Sequence, residues 1–311
     1  MPPRSVTSES RPLRVVVTGA GGFIGGHLVH HLTAAGMEVH GVTRRAVNGA
    51  TWKCHVGECG DRDFIAGVMG RVTPDFVVHL ASRTAPGRNL DDFERQLADT
   101  VLPSLVVARA LPDSVNLAIF FGSCEEYGNA EPPFVEDQPR RCFSPYGWAK
   151  DAAREGVFLT GRLTGRSVCW VRPFLTFGPG QRPGLFVPDV IRACLDGTPL
   201  ELTAGEQTRD FITVDDVCGM VLRMLAAPDR ARGETINLCS GRPRTIRSVA
   251  ETIRTLVGRG DLRFGSLPYR ADEAMRFFGS TAKYDRLFGR WEASDFDAAM
   301  AATIRTIEAE R

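Results

Sequence analysis

The segment Thr18-Gly19-Ala20-Gly21-Gly22-Phe23-Ile24-Gly25 constrains the fold of this chain more than any other. A β-branched run at 13–18 leads into it, and a helix-like stretch at 23–35 leads out. Glycine at 19 permits a tight turn, glycine at 22 lets backbone approach a ligand, and glycine at 25 lets the helix lie close against the strand. The helix start adds amide donors and a partial positive charge, which suits the pyrophosphate of a dinucleotide. A glycine triplet alone is weak evidence; this one has the required strand before it and helix after it. Gly19, Gly22, Phe23, Ile24 and Gly25 are therefore the expected cofactor contacts.

The pattern then repeats. Short, nearly continuous apolar runs at 38–43, 76–80, 117–121 and 168–171 alternate with helical patterns, among them 97–111 and 146–164. Such alternation predicts an α/β protein with a Rossmann-type, doubly wound parallel sheet covered on both faces. After Pro173 glycine and proline cluster between 178 and 188, and a strand-like stretch returns at 235–240. The texture predicts a disordered lead-in at 1–12, a dinucleotide-binding domain from 13–174 plus 209–242, and a smaller, discontinuous substrate lobe from 175–208 plus 243–311.

Tyr146 and Lys150 lie four residues apart in SPYGWAK, so on a helix the phenol and the ammonium share one face. An ammonium beside a phenol stabilises phenolate and is expected to lower the tyrosine pKa from about 10. With Ser123 holding the same substrate oxygen, the trio suits interconversion of an alcohol and a ketone. The second predicted strand ends in Thr43-Arg44-Arg45, with no acidic residue between Glu38 and Glu58. Carboxylates at that position grip the ribose 2′-hydroxyl of NAD; two guanidiniums favour the 2′-phosphate of NADP(H), with NAD(H) as the alternative. Glu58 is placed near the adenine.

Thirty-eight basic and 37 acidic residues nearly cancel, which leaves no electrostatic footprint for nucleic acid or an anionic membrane. No apolar run approaches the ~20 residues of a membrane span, and the opening residues lack the apolar stretch of a signal peptide. Eight cysteines without a CxxC pair argue against a zinc site or a disulfide scaffold, so a cytoplasmic setting is expected.

Taken together, these residues resemble the extended short-chain dehydrogenase/reductase family, in its nucleotide-sugar epimerase, dehydratase and reductase branch. The landmarks are TGAGGFIG, the strand ending His79-Leu80-Ala81-Ser82, SCEEYG at 123–128, SPYGWAK at 144–150, Arg172-Pro173 with Phe177-Gly178-Pro179, and RDFITVDD at 209–216. EVHGVTRR looks like the NADP-linked GDP-mannose 4,6-dehydratases. The resemblance implies that Leu80, Ala81 and Ser82 line the cofactor and that Lys150 binds its ribose while tuning Tyr146. It further implies a nucleotide-diphosphate sugar substrate near Thr84, Ser123 and Tyr127, with Arg209 on its diphosphate and Arg270 as a second candidate. A homodimer packed through helices near 90–110 and 146–165 is also implied. Two positions depart from the pattern: Leu175 and Thr100 stand where the family often has asparagine.

In 4,6-dehydratases an Asp-Glu pair follows the serine or threonine; here Cys124 falls on the Asp and Glu125 on the Glu. A thiol of ordinary pKa near ~8.5 stays protonated and could donate to a leaving hydroxyl, less well than a carboxylic acid does. Similar Ser-x-Glu-Glu-Tyr-Gly segments occur in 4-ketoreductases, so Glu125 does not select dehydration. The expectation is an NADPH-dependent 4-ketoreductase acting on an NDP-4-keto-6-deoxyhexose. The alternatives are a 4,6-dehydratase using Cys124 and Glu125, a 4-epimerase, and a non-catalytic NADP sensor.

Overall fold

A computed structural model describes residues 11–82, 84 and 89–311. The expected lead-in at 1–12 lies outside the described residues except for Arg11 and Pro12. The Arg11 guanidinium bonds both oxygens of Asp75 at 2.7 and 2.8 Å.

Seven strands form one all-parallel sheet: β1 (Arg14–Thr18), β2 (Glu38–Thr43), β3 (Lys53–Val56), β4 (Phe76–His79), β5 (Leu117–Phe121), β6 (Val168–Pro173) and β10 (Thr235–Leu238). Their order is β10-β6-β5-β4-β1-β2-β3. The chain winds outward from β1 to β3, then crosses over to β4 and winds the other way. The β1–β4 junction is thus the topological switch point, where the crevice for a ligand opens at the strand C-termini. Strands β4, β5 and β10 are buried along their whole length, as expected when helices cover both faces.

One apolar cluster packs helices Phe23–Ala34 and Val214–Ala226 on one face, with Leu28, Leu32, Val217 and Val221 inaccessible. A second packs Arg62–Val72, Leu102–Arg109 and Pro145–Thr164 on the other, through Ile65, Val107 and Val157. The helical pattern expected at 97–111 begins with a wide turn, Leu97–Val101, where the Leu102 amide reaches back to the Leu97 carbonyl. Pro103, which has no amide to give the Asp99 carbonyl, sits two residues after Val101.

The remaining strands are β7 (Leu175–Phe177), β8 (Leu200–Leu202), β9 (Thr208–Thr213), β11 (Pro243–Thr245), β12 (Leu262–Phe264) and β13 (Arg276–Phe277). Residues 209–213, at the start of the second stretch assigned to the dinucleotide-binding domain, lie in β9 outside the large sheet. β10 fills the edge of β6, and β9 instead pairs with β7, β11 and β13. The buried Asp210 carboxylate ties this small sheet to the end of β10 by accepting the amides of Ser240 and Gly241 and the Ser240 hydroxyl at 2.7–3.0 Å. β8 and β12 form a separate parallel pair. A third core, centred on Ile191, Phe211, Val249, Ile253 and Met300, holds this region together.

Candidate active site

The glycine loop is built as a phosphate cradle. Gly19 takes φ +72°, and a Cβ there would stand 2.9 Å from the Ala81 amide nitrogen. A Cβ at Gly25 would stand 2.1 Å from the Gly19 carbonyl oxygen. Gly22 caps the helix Phe23–Ala34 without a side-chain hydrogen bond, and no acidic residue occupies the first turn. The amides of Phe23, Ile24 and Gly25 thus have no capping side chain to compete with a ligand. These features fit a dinucleotide pyrophosphate.

The ends of β2 and β3 lie beside this loop, since the Gly19 amide donates to the Val42 carbonyl and the Gly57 amide to the Thr43 carbonyl. Arg44, Arg45 and Glu58 are all exposed there. The Thr43 hydroxyl donates to the Arg45 carbonyl at 2.7 Å and fixes the turn that presents the two guanidiniums. Leu80, Ala81 and Ser82 are half-buried at the end of β4, with the Leu80 amide on the Thr18 carbonyl.

Beneath these strand ends lies a residue whose role the sequence left unread. His79 is buried between Thr18 and Ser104, with Nδ1 2.7 Å from the Thr18 hydroxyl and Nε2 3.2 Å from the Ser104 hydroxyl. The Ser104 hydroxyl donates to the Thr100 carbonyl, so it accepts from Nε2–H, and Nδ1 accepts from Thr18. Burial, with the nearby Lys150 charge, pushes His79 down to about 3, so the ring is neutral. It links the dinucleotide turn to the helix behind it.

Ser123, Tyr146 and Lys150 converge at the end of β5. The Ser123 hydroxyl lies near enough to the Tyr146 phenol to favour its charged form. Lys150 Nζ donates to the Ser82 hydroxyl at 2.9 Å and the Phe121 carbonyl at 2.6 Å, and lies 5.9 Å from the Tyr146 ring centre. The helix carrying them is cued locally: Ser144 caps the Gly147 amide and Pro145 occupies the first turn. One expectation is reversed. Tyr146 is pushed up, not down, because burial penalises phenolate more than the Ser123 hydroxyl favours it. Burial likewise pulls Lys150 down to about 8, opposed by Glu126.

Cys124 and Glu125 follow on a short turn, Cys124–Tyr127, with Cys124 buried and Glu125 half-buried. Burial, then the Glu125 charge, holds the Cys124 thiol well above its usual range. Tyr127 does not face a substrate. It is wholly buried, stacks on Phe134 with centroids 4.7 Å apart, and donates to Asn237 Oδ1 at 2.7 Å. The side chain that does support the turn is Glu126, which accepts the Ser123 amide while the Ser123 hydroxyl accepts from Glu125. Ser123-x-x-Glu126 is a capping box, a signal present in the sequence.

Arg209 is not a free guanidinium. It pairs with Glu273 and donates to the carbonyls of Thr208 at 2.8 Å and Ala274 at 2.7 Å. Burial lowers its pKa, while Glu273, Cys124 and Glu125 act the other way, which puts it within electrostatic reach of the Ser123 turn. Arg270 is exposed one turn before Glu273, whose amide bonds the Arg270 carbonyl at 3.0 Å. Thr84 is exposed, and its carbonyl accepts from Arg182 at 3.0 Å. Leu175 is half-buried in β7, and Thr100 is buried with its hydroxyl on Gln96.

The fold is that of a Rossmann-type dinucleotide enzyme, and Ser123, Tyr146 and Lys150 converge at the end of its β5 strand. The model of the NAD dependent epimerase/dehydratase family matches residues 15–239, and the chain belongs to that family, among the extended short-chain dehydrogenase/reductases. Similar characterised proteins include GDP-6-deoxy-D-talose 4-dehydrogenase of Aggregatibacter actinomycetemcomitans, 27% identical over 89% of this chain and 92% of that one. GDP-6-deoxy-D-mannose reductase of Pseudomonas aeruginosa is 28% identical over 77% of this chain and 79% of that one. Among solved structures, MoeE5 in complex with UDP-glucose and NAD is 27% identical, covers 96% of this chain and 99% of its own, and superposes with a TM-score of 0.86.

Proposed function

We propose that the protein is an NADPH-dependent 4-ketoreductase that acts on a nucleotide-diphosphate 4-keto-6-deoxyhexose. The observation that carries this reading is the convergence of buried Tyr146 and Ser123 beside Lys150, in which burial keeps the phenol protonated. A protonated phenol is poised to give its proton to a ketone oxygen. The bound dinucleotide supplies the hydride at C4. Tyr146 transfers its proton to the C4 oxygen as charge develops there, and Ser123 holds that oxygen by a hydrogen bond. Lys150 stands below the phenol as the ammonium that offsets the negative charge left on it. The two curated relatives named above act on GDP-6-deoxyhexoses, one as a 4-dehydrogenase and one as a reductase, and support the substrate class.

Cys124 weighs against dehydration. A thiol pushed this far up is a poor proton donor to a leaving hydroxyl, because burial and the Glu125 charge disfavour its thiolate more than the Ser123 hydroxyl favours it. NADP(H) is the favoured cofactor on Arg44 and Arg45, and Arg209 in β9 is the proposed contact of the substrate diphosphate. A homodimer is supported by exposed Leu97, Leu102, Trp148, Leu159 and Leu163 on the helices at 93–109 and 145–164. A cytoplasmic setting completes the reading. One observation favours an NAD-linked reaction on a UDP-hexose instead, as a 4-epimerase would perform: the MoeE5 structure holds UDP-glucose with NAD, and UDP-glucose 4-epimerase of Azospirillum brasilense is 26% identical over 90% of this chain and 92% of that one.

The test is a panel of UDP-, GDP-, CDP- and dTDP-sugars, with 4-keto-6-deoxyhexose and hexose forms, each with NADPH or NADH. The reading predicts one NADPH oxidised per 4-keto sugar reduced, followed by absorbance and product mass. Loss of water or epimerisation of a hexose with no net cofactor change would overturn it. Cofactor binding without turnover anywhere in the panel would favour the sensor.

A further inference from the structure

The turn that ends β5 is clasped from two sides. Lys150 Nζ donates to the Phe121 carbonyl at 2.6 Å, and the Glu126 carboxylate accepts the Ser123 amide at 2.9 Å. Gly122 lies between them. A Cβ there would stand 2.2 Å from Glu126 Oε1 and 2.1 Å from Trp170 Nε1, so the bare backbone is what admits the carboxylate. Glu126 is wholly inaccessible and takes two further donors, Trp170 Nε1 at 3.0 Å and Arg172 Nε at 2.7 Å. Arg172 is equally buried, lies 4.5 Å over the Tyr127 ring and donates to the Glu136 carbonyl at 3.3 Å. A buried ion pair adds little stability over apolar residues of the same volume, so its retention against the Ser123 turn calls for another reason.

We propose that Glu126, backed by Arg172, is a positioning residue of the Ser123–Tyr146–Lys150 site: it fixes the turn at 121–123 and supplies the negative charge that faces Lys150 across it. The groups facing Lys150 are the Ser82 hydroxyl, the Phe121 carbonyl, the Tyr146 ring, neutral His79 and Glu126. Around Glu126 stand Arg172 and Lys150 as cations, with Cys124, Cys142 and Tyr146 held protonated by burial. Burial alone drives Lys150 toward the neutral amine, and Glu126 is the charge that opposes it. The inference rests on Lys150 belonging to the site of the proposed reaction, and on no particular sugar.

The chain has three lysines, Lys53, Lys150 and Lys283, so the test needs no substrate. Lysine labelled with carbon-13 at Cε gives three resonances to follow by NMR against pH, with Lys150→Met assigning one of them. The Lys150 midpoint is expected near 8 in the unaltered chain. Glu126→Gln should lower it by about one pH unit, with Lys53 and Lys283 unmoved, and Glu126→Asp should restore most of it. If Glu126→Gln alone does not fold, Glu126→Gln with Arg172→Met removes both buried charges and should still leave Lys150 below its original midpoint. A folded single or double variant in which Lys150 titrates where it did before overturns the proposal. Failure of the ketoreductase reading, seen as no NADPH consumption in the sugar panel, would leave this titration unaffected.

Discussion

Lys150 is expected to cost the fold stability, and replacing it by methionine, a side chain of similar length, exposes that cost. Its pKa falls from the ordinary 10.5 to about 8, chiefly by burial. At about 1.4 kcal/mol per pH unit, that difference amounts to about 3 kcal/mol of destabilisation wherever both folded and unfolded chains hold the proton. The side chain is only 4% exposed, so solvent screening reduces the figure little. Against it stand the hydrogen bonds to Ser82 and the Phe121 carbonyl, whose loss costs about 1–2 kcal/mol. Lys150→Met should therefore be about 1–2 kcal/mol more stable than the parent at pH 7, while losing turnover. The sign of the pH dependence follows from proton binding. Between pH 8 and 10.5 the unfolded chain holds the Lys150 proton and the folded chain does not, so the parent gains stability as pH rises through that window. The advantage of the methionine variant is fully present below pH 8 and shrinks toward pH 10.5, reversing once only the lost hydrogen bonds remain. Urea unfolding of both proteins at matched pH values measures it, and titrations common to both cancel in the difference. A methionine variant less stable than the parent at pH 7, by an amount independent of pH, would refute the reasoning.

The glycine loop offers a sharper steric test: Gly25→Ala places a methyl 2.1 Å from the Gly19 carbonyl oxygen, so NADPH affinity by fluorescence titration should fall at least about tenfold; undiminished binding would take the loop out of the cofactor site. Replacing both Arg44 and Arg45 by alanine should weaken NADPH by about 10–100-fold and leave NADH nearly unchanged, and equal losses for the two cofactors would remove the 2′-phosphate argument. Cys124→Ser should keep turnover within about threefold, since the proposed reaction takes no proton from this thiol; a loss of about a hundredfold or more would revive dehydration. Tyr127→Phe should cost about 1–2 kcal/mol in chemical unfolding by orphaning Asn237 Oδ1, with KM unchanged, whereas a raised KM at unchanged stability would return Tyr127 to the substrate.

Most of what could be read in advance was local, and most of what could not was a matter of partners. The glycine loop is legible because the turn, the close approach and the helix end are consecutive in sequence, and the structure places Gly19, Gly22 and Gly25 as that chemistry requires. β3 escaped notice because Lys-Cys-His-Val is a short, exposed edge strand with no apolar run to announce it. The return to a strand at 235–240 is legible as β10, yet nothing in its residues says that it occupies the β6 edge and leaves β9 to pair with β7. The same limit acts at the site. Spacing puts Tyr146 and Lys150 on one helix face, but whether the ammonium or the burial governs the phenol depends on Phe121, Ser82 and Glu126, which lie elsewhere in the chain. Arg209 finds its carboxylate 64 residues away at Glu273. In SCEEYG the two glutamates are neighbours, and a tight turn sends one toward the open side and buries the other. Only the serine three residues before Glu126, through the capping box it forms, distinguishes them in the sequence. Glu126 is therefore the glutamate with the stronger local signal, because a cap is a backbone motif while a catalytic role, as at Glu125, depends on what faces it.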